Sequence, residues 1–345
     1  MATTRINVVE MVTIQPAPSG FPRHPWRQAH ACRQGWRRSQ RGCLTQQRNK
    51  PACNLDGQGW RRSQRGCLTP ESLLEMNKLG TDKMKTDEKM IGEIDWAHWL
   101  ARWDAQQAGY LPDREDRFDA MLTVLEVLLP PDFVALDLCC GPGAISQRLL
   151  ARFPQAHSVA VDLDPVLLAM GQGVLGTMDG RLRWVDADLC EPGWVEQLGE
   201  SHFDAVLSTT ALHWLPIPDL VRVYHELGKL VRPGGVFLNG DNMKFSSHLS
   251  SLDRVAKSVR DHQWQDETFA QLGVENWAQW WDALRKEPAL TNLLAERERR
   301  FAWRSPDNLV NAGRDLQQGA LLEAGFREVG IIWQRFDNCV LMAVR

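Results

Sequence analysis

The sequence predicts an α/β fold, in which helices cover both faces of a mainly parallel β-sheet. Between residues 133 and 240, short apolar segments typical of buried strands alternate with segments of helical period. Such alternation indicates parallel strands joined by crossover helices. A glycine-bearing loop follows the first strand, and two apolar segments near the end of the chain are separated only by Asp337 and Asn338. That short junction predicts a hairpin, so we expect the sheet to end in an antiparallel pair.

The first 89 residues differ from the rest in composition. Residues 1–70 contain twelve Lys or Arg and two acidic residues, a net charge of +10, whereas the whole chain carries −3. The sequence QGWRRSQRGCLT occurs twice, at residues 34–45 and 58–69. Because this part has few large aliphatic residues, it buries too little apolar surface to offset chain entropy. We therefore predict a basic, disordered extension over residues 1–89 and a folded domain over residues 90–345.

The role of this basic extension stays open at the level of the sequence. Arginine and tryptophan could bind nucleic acid or an anionic membrane through charge and stacking. An Arg-rich, acid-poor segment also resembles a transit sequence. The perfect identity of the two copies instead suggests a duplicated stretch of DNA read into the protein. Met76, Met84 and Met90 precede the first helix of the folded domain, and any of them could be the real start.

The cysteine pattern argues against a metal site. No CxxC pair occurs among the eight cysteines, and their spacings in the extension match no zinc pattern. Adjacent Cys139 and Cys140 cannot easily form a disulfide with each other, so we expect free thiols and a reducing, cytoplasmic location. The sequence has no apolar run of the about 18 residues that a membrane span requires. Charge and proline interrupt the N-terminus too early for a signal peptide.

Tryptophan stripes mark the helices outside the alternating part of the sequence. Two stripes recur at helical spacing, namely Trp96, Trp99 and Trp103, and Trp277, Trp280 and Trp281. We favour core contacts of helices lying over the sheet above an aromatic substrate cage, because apolar residues at helical spacing usually mark a core. The second stripe lies in a helical insertion, predicted at about residues 243–300, where a lid over a small substrate would lie.

Five strands are predicted before the insertion. They lie at residues 133–138, 158–163, 182–189, 203–209 and 236–240. The helices between them are predicted at residues 144–153, 165–176, 192–198 and 220–231. Asp164 and Pro165 are typical of an N-cap and a first helical residue, and Pro233 with two glycines stops the last of these helices. A helix at residues 316–326 and strands at residues 327–336 and 339–345 close the domain.

The sequence ALDLCCGPGA, at residues 135–144, carries the most specific chemical signal. Gly141 and Gly143 lack a Cβ, so the backbone of this loop can approach a ligand closely. The following helix offers unpaired N–H groups to an anion. Asp162 ends the next strand, where a carboxylate can accept both hydroxyls of a ribose. Asp188 ends the third strand, within reach of an adenine amino group, so the pattern favours an adenosine-containing ligand.

This loop matches neither of two common nucleotide motifs. A dinucleotide fingerprint has a glycine where Ser146 stands, and a P-loop requires Lys followed by Ser or Thr. From residue 95 to the end, the chain instead resembles the class I S-adenosylmethionine-dependent methyltransferases. The resemblance rests on DLCCGPG, VAVDLDP, WVDADL, FDAVLSTTALHWL, LVRPGGVFL and LLEAGFREVGIIWQ with CVLMAVR, in the family's order. It implies S-adenosylmethionine as the cofactor and a Rossmann-like sheet of seven strands, with the last strand antiparallel and next to the fifth.

The resemblance also implies which residues hold the cofactor. By position they are Asp137, Cys139, Gly141 and Gly143 for the methionine part, Asp162 for the ribose, Asp188 and Leu189 for the adenine, and Thr209 and Thr210 on the methyl-transfer face. Leu163, next to Asp162, is a further cofactor contact. The chain departs from the family at Cys139, where the first glycine of the loop usually stands. If that position needs a positive φ, a cysteine there is strained.

Three further residues are candidates for contacts near the reacting groups. His213 follows the fourth strand and is the best-placed general base or substrate contact, with a packed structural histidine as the alternative. Tyr110 and Arg114 precede the first strand and could close over the methionine carboxylate, which an arginine binds with two hydrogen bonds. A solvated helix face is the alternative for these two. Methyl transfer requires mainly alignment, and a base only where the nucleophile arrives protonated.

We expect a methyltransferase that acts on a small molecule through an oxygen or nitrogen nucleophile, a carboxylate included. The segment after the fourth strand lacks the Asn/Asp-Pro-Pro-aromatic run of DNA amino-methyltransferases and the Pro-Cys of cytosine-C5 enzymes. The acidic domain also disfavours a phosphate backbone as partner. STTALHWLPIPDL resembles the small-molecule branch that includes trans-aconitate and malonyl-carrier methyltransferases. A nucleic-acid-directed methyltransferase that uses the basic extension, and a binding module without catalysis, are the alternatives.

Overall fold

The computed structural model describes residues 94–302 and 312–345. The predicted extension over residues 1–89 lies outside the described residues, and so does the predicted start of the folded domain at residue 90. The division of the chain into an extension and a domain therefore stays a prediction.

Seven strands form one sheet. They are β1 (Val134–Leu138), β2 (His157–Asp162), β3 (Leu182–Asp186), β4 (Phe203–Thr209), β5 (Val231–Asn242), β6 (Glu328–Arg335) and β7 (Asn338–Val344). Their order across the sheet is β3-β2-β1-β4-β5-β7-β6. Strands β1 to β5 pair in parallel, whereas β7 pairs antiparallel with both β5 and β6. The predicted Rossmann-like α/β fold, with its last strand antiparallel beside the fifth, is confirmed.

Helices connect the strands and precede the sheet. They are α1 (Trp96–Tyr110), α2 (Arg114–Leu128), α3 (Ala144–Arg152), α4 (Pro165–Leu175), α5 (Ile217–Leu230), α6 (Ser250–Gln263), α7 (Asp266–Leu272), α8 (Trp277–Leu284), α9 (Thr291–Phe301) and α10 (Arg314–Glu323). Helices α6 to α9 lie between β5 and α10, where the sequence predicts the helical insertion. Among the described residues, we find no helix with the length and apolar character needed to cross a membrane.

Apolar side chains cover both faces of the sheet. On one face, Phe118 of α2 and Leu149 of α3 belong to a buried cluster with Leu207 of β4. On the other face, Val223 of α5 belongs to a buried cluster with Phe237 of β5. Because the central strands are buried on both sides, their sequences are nearly continuously apolar instead of alternating.

The tryptophans of α1 and α8 pack against each other. Trp99 and Trp103 contact Trp280 edge-on, with ring centroids 5.9 and 5.0 Å apart, and all three side chains are buried. Side chains of α4 complete the same cluster, while Trp277 at its edge is partly exposed. The interpretation of the tryptophan stripes as core contacts is confirmed, and the insertion is thereby tied to the helix that follows β2.

Strand β5 starts earlier than the sequence predicts. Val231 pairs with Phe203, and the next pair along β4 joins Ala205 to Val236, so residues 232–235 bulge out of the ladder. Pro233 lies within this bulge, where its missing N–H is tolerated. The sequence pattern marks only the apolar part of the strand and therefore places its start at residue 236.

Two other elements also differ from the predicted ones. Strand β3 ends at Asp186, so Asp188 lies two residues beyond the strand instead of closing it. The short helix predicted at residues 192–198 is a 3-10 turn, Val195–Leu198. These shifts leave the aspartates at the same edge of the sheet, because parallel strands end on one side.

Helices α5 and α10 approach closely at Gly228, where an added Cβ would lie 2.1 Å from the backbone oxygen of Ala324. We expect Gly228→Ala to lower the free energy of unfolding by about 1–3 kcal/mol, because the two helices must move apart. At Gly319, in α10, an added Cβ meets no atom within 4 Å. There, Gly319→Ala should raise the free energy of unfolding by about 0.5–1 kcal/mol through helix propensity. Urea unfolding of both variants measures the difference, and equal effects would contradict the close packing at Gly228.

Candidate functional site

The loop between β1 and α3 has backbone conformations that favour glycine. Cys139, Gly141 and Gly143 have positive φ angles of 56°, 54° and 85°. A Cβ on Gly141 would meet only Leu167 within 4 Å, at 3.8 Å, so the space beside this residue is open to a ligand. A Cβ on Gly143 would lie 2.6 Å from the ring of Trp184, so this glycine is required by packing. Gly141 thus gives a ligand access to the loop, whereas Gly143 allows the loop to pack closely against Trp184.

Cys139 occupies the left-handed region of backbone space. For a residue with a Cβ, this conformation costs about 1–2 kcal/mol. The departure from the family pattern is therefore a strained position, as the sequence predicts for a positive φ. The side chain is partly buried against the core cluster of the α5 face, and this burial offsets part of the strain.

Asp162, at the end of β2, lies directly beside the loop. Its Oδ2 accepts a hydrogen bond of 2.7 Å from the backbone N–H of Gly141, and its Oδ1 accepts one of 2.8 Å from the N–H of Asp164. An ionised carboxylate has about four acceptor positions, so acceptor capacity remains on both oxygens. The structure thus brings together the two parts that the sequence predicts for binding an adenosyl group.

Asp137 lies beneath the same loop and is almost completely buried. Its Oδ2 accepts hydrogen bonds from the backbone N–H of Ser146, at 2.9 Å, and from the Ser146 hydroxyl, at 2.7 Å. Its Oδ1 is buried and has no hydrogen-bond partner among the described residues. An orphaned carboxylate oxygen at the loop can accept a hydrogen bond from a ligand.

The pKa values of Asp137 and Asp162 are higher than those of aspartates in water. Burial raises the pKa of Asp137 to about 7, against the hydrogen bonds from Ser146. Burial also raises the pKa of Asp162 to about 6, against the N–H groups of Asp164 and Gly141. Cationic groups of a ligand would favour the ionised forms of both carboxylates.

These observations fit S-adenosylmethionine. The ligand carries an ammonium group and a sulfonium group, which suit the orphaned oxygen of Asp137, and two ribose hydroxyls, which suit the free acceptor positions of Asp162. The open space beside Gly141 allows the backbone of the loop to contact it. The residues that are present therefore match the chemistry of the group that the sequence predicts.

Asp188 and Leu189 follow β3 on the predicted adenine side. Asp188 Oδ1 accepts a hydrogen bond of 2.9 Å from the backbone N–H of Cys190, and Leu189 is buried. Leu163, next to Asp162, is partly exposed, and its carbonyl accepts a hydrogen bond of 3.0 Å from Arg300. Leu163, Asp188 and Leu189 thus follow the adjacent strands β2 and β3 at the carboxyl edge of the sheet.

Arginines of α9 also reach this edge, which the sequence does not predict. Arg297 Nε donates to Asp164 Oδ2 at 2.6 Å, and its guanidinium lies 3.7 Å from the centroid of the Trp281 ring. Arg300 donates to both carboxylate oxygens of Asp186, at 2.5 and 2.9 Å. The last helix of the insertion is therefore attached to the ends of β2 and β3.

Arg117 is a buried cation on the other side of the site. Its Nη2 donates to the hydroxyls of Thr209 and Thr210, at 2.5 Å each, and its Nη1 donates to Asn338 Oδ1 at 3.0 Å. Gly240 leaves room for it, since a Cβ there would lie 2.9 Å from Arg117 Cδ. Thr209 and Thr210 therefore lie at the predicted edge, but their hydroxyls are already bonded to an arginine that sequence reasoning missed.

His213 is held by a buried carboxylate that sequence reasoning also missed. Its Nδ1 lies 2.9 and 3.0 Å from the two oxygens of Asp241, at the end of β5. A carboxylate only accepts, so Nδ1 carries the hydrogen and donates it. Burial lowers the pKa of His213, but the charge and hydrogen bond of Asp241 raise it by more, and the net pKa lies above its ordinary value.

Tyr110 and Arg114 make their contacts with helices. Arg114 is almost fully buried and pairs with Asp104 at 2.8 Å, so the alternative of a solvated helix face is wrong for it. The Tyr110 hydroxyl accepts a hydrogen bond of 3.0 Å from the backbone N–H of Trp277. A contact with the methionine carboxylate stays a prediction for both.

The comparison with known families agrees with this geometry. Residues 135–235 match a family model described as a methyltransferase domain. This segment includes strands β2, β3 and β4 of the sheet described above. Residues 135–235 are therefore similar to the methyltransferase domains that this family model describes. The matched segment includes the glycine loop, both aspartates that face it, and His213.

Proteins that are similar to part of this chain are methyltransferases by name. Trans-aconitate 2-methyltransferase of Azoarcus sp. (strain BH72) is 33% identical over 138 residues, which cover 40% of this chain and 49% of the relative. Malonyl-[acyl-carrier protein] O-methyltransferase of Dechloromonas aromatica (strain RCB) is 35% identical over 104 residues, 29% of this chain and 33% of the relative. The chain thus spans about half, or less, of the length of these two relatives.

The raised pKa of Asp137 predicts a pH-dependent stability of the methyltransferase domain. Its carboxyl group binds a proton more tightly in the folded state, so the wild type loses stability as pH rises from the unfolded value near 4 to about 7. Asp137→Asn removes this titration. Relative to wild type, the variant should gain on the order of 2–4 kcal/mol across that range. Urea unfolding of the unliganded proteins between pH 4 and 8 measures it, and parallel pH profiles would contradict the burial of an ionisable Asp137.

Proposed function

We propose that this protein transfers a methyl group from S-adenosylmethionine to a small-molecule acceptor. The observation that carries the proposal is the hydrogen bond of 2.7 Å between the Gly141 amide and Asp162, at the carboxyl ends of β1 and β2. It sets an open glycine loop beside a carboxylate with free acceptor positions. The methyltransferase domain match over residues 135–235 supports the same reading.

We assign the cofactor contacts by position around this hydrogen bond. The bound cofactor supplies the methyl group on its sulfonium sulfur. The proposed contacts are Asp137, Cys139, Gly141 and Gly143 for the methionine part, Asp162 and Leu163 for the ribose, Asp188 and Leu189 for the adenine, and Thr209 and Thr210 on the methyl-transfer face. The protein's contribution is to align the acceptor with the methyl carbon and to exclude water.

The proposed acceptor class rests on two observations. The relatives named above methylate trans-aconitate and a malonyl group on a carrier protein by name. The part of the chain after residue 70 carries the acidic excess, since residues 1–70 are strongly basic and the whole chain has a net charge of −3. An acidic domain repels a phosphate backbone, so we propose a small molecule and not a nucleic acid. The four described cysteines are thiols and not disulfides, which supports a reducing, cytoplasmic location.

Replacement of Asp162 tests the cofactor site. We expect Asp162→Ala to weaken S-adenosylmethionine binding at least about 10- to 100-fold, because even one hydrogen bond between a charged acceptor and the ribose contributes about 1.5–3 kcal/mol. Isothermal titration calorimetry measures this. Asp132→Ala, at an exposed aspartate just before β1, is the matched control and should bind like wild type. Equal affinity of Asp162→Ala and wild type would contradict the proposal.

The basic extension provides a second candidate function, favoured by its net charge of +10 over residues 1–70. A methyltransferase that recruits nucleic acid through this extension should lose activity when it is removed. We propose that residues 1–89 are dispensable and expect deletion of residues 1–83 to leave the rate of methyl transfer unchanged. A large loss that grows at low salt, where charge contacts are strongest, would favour the nucleic-acid alternative.

A further inference from the structure

His213 and Asp241 form a hydrogen-bonded pair at the acceptor side of the proposed methyl-transfer site. Strand β4 ends at Thr209, and His213 follows it by four residues, in the 3-10 turn Leu212–Trp214. Asp241 lies near the end of β5, which pairs with β4 up to Thr209 and Gly240. Both side chains therefore lie at the same edge of the sheet as the glycine loop.

The geometry leaves one nitrogen of His213 available. Nδ1 donates to Asp241, and Nε2 has no hydrogen-bond partner among residues 94–302 and 312–345. The His213 side chain is 27% exposed, whereas that of Asp241 is 3% exposed. Because Nδ1 carries the hydrogen, Nε2 of the neutral ring has a free lone pair that can accept a proton. This is the arrangement of an oriented general base.

The charges around the pair distinguish the possible acceptors. Arg117 is the nearby buried cation: it opposes protonation of His213 and favours the ionised form of Asp241. Tyr224 and Cys339 are the other titratable groups that interact with Asp241, and burial raises the pKa of each, so both are neutral near pH 7. A cation buried this close disfavours an acceptor that arrives as an ammonium ion.

An ionised carboxylate as the acceptor would not require a general base such as His213. It arrives without a proton, so its methylation needs no base. A hydroxyl compound, in contrast, must lose a proton as its oxygen acquires the methyl group. A buried carboxylate bonded to Nδ1 orients the ring and stabilises the positive charge that the histidine acquires when it takes up a proton.

We propose that the acceptor of this protein is a hydroxyl compound and that His213, oriented by Asp241, removes its proton. This inference rests on the proposed function. The hydroxyl oxygen forms a bond to the methyl carbon as the carbon–sulfur bond breaks, and the sulfur keeps that electron pair. The hydroxyl proton moves to Nε2 of His213, and Asp241 stabilises the resulting imidazolium. The products are a methyl ether, the neutral thioether and a protonated His213, so charge and atoms balance.

The chemistry of the product tests this assignment. The full chain is incubated with methyl-labelled S-adenosylmethionine and a small-molecule metabolite extract, and the labelled products are treated with alkali. A labelled methyl group that survives alkali and that mass spectrometry of the purified product places on oxygen, as a methyl ether, is the expected result. Release of labelled methanol would reveal a methyl ester and therefore a carboxylate acceptor. A label that is found on nitrogen would reveal an amine acceptor, and either result overturns the proposal.

Variants of the pair test the role of His213. His213→Asn keeps an N–H donor for Asp241 but lacks Nε2, so it should fold and lower the rate of label transfer about 10²- to 10⁴-fold. In the wild type, the rate should rise with pH and level off above the raised pKa of His213, since only the neutral ring accepts a proton. His213→Asn should lose this rise. His202→Asn, at an exposed histidine that is hydrogen-bonded to Ser201, is the matched control and should behave like wild type.

Calorimetry with S-adenosylmethionine separates the two proposals. His213→Asn should bind the cofactor as tightly as wild type, because this residue serves the acceptor. A wild-type chain that does not bind the cofactor contradicts the proposed function itself. A chain that binds it but labels no compound of the extract, or a His213→Asn variant with an unchanged rate and pH profile, contradicts the assignment of a hydroxyl acceptor.

Discussion

The hydrogen bond from the Gly141 amide to Asp162 is the constraint on which the rest of the site depends. It exists because β1 and β2 pair in parallel, with Leu138 opposite Val161, so that the loop after one strand meets the side chain that ends the other. The bond fixes a loop whose positive φ angles would otherwise be costly for the chain. It also holds the partly buried Asp162 carboxylate beside the glycine loop, with acceptor positions remaining on both oxygens.

The acceptor side of the site depends on a second set of buried charges. Arg117 is almost completely buried, and Asp241 is the carboxylate that offsets its charge. The same carboxylate holds His213 through Nδ1. Two basic groups therefore share one acid, and the charge on Arg117 limits how strongly Asp241 can raise the pKa of His213. Such a group of buried charges acts as a unit, because removal of one member leaves another uncompensated.

The sequence predicts those parts of the site that depend on residues close together along the chain. It does not predict contacts between residues that are far apart in the sequence. Strands, helices and the glycine loop follow from periodicity and from residues within one segment, and His213 follows from its place after β4. Asp241 and Arg117 lie 28 and 96 residues from His213, and no local pattern connects them. A signal was present nonetheless: Arg117 shares its helix face with Met121, four residues on, and a cation on an apolar stripe needs a buried partner.

Backbone strain on adjacent strands explains how the two sides of the site keep their alignment. Cys139 follows β1 and Thr210 follows β4, its neighbour in the sheet, and both have left-handed φ angles, of 56° and 54°. Thr210 is held there by its N–H bond of 2.8 Å to the Gly240 carbonyl and by Arg117 at its hydroxyl. Strained residues persist only where their surroundings fix them, and they cluster where a reaction needs preorganised geometry. In-line methyl transfer has this requirement, since donor and acceptor must be held in one line by parts of the chain that cannot relax independently.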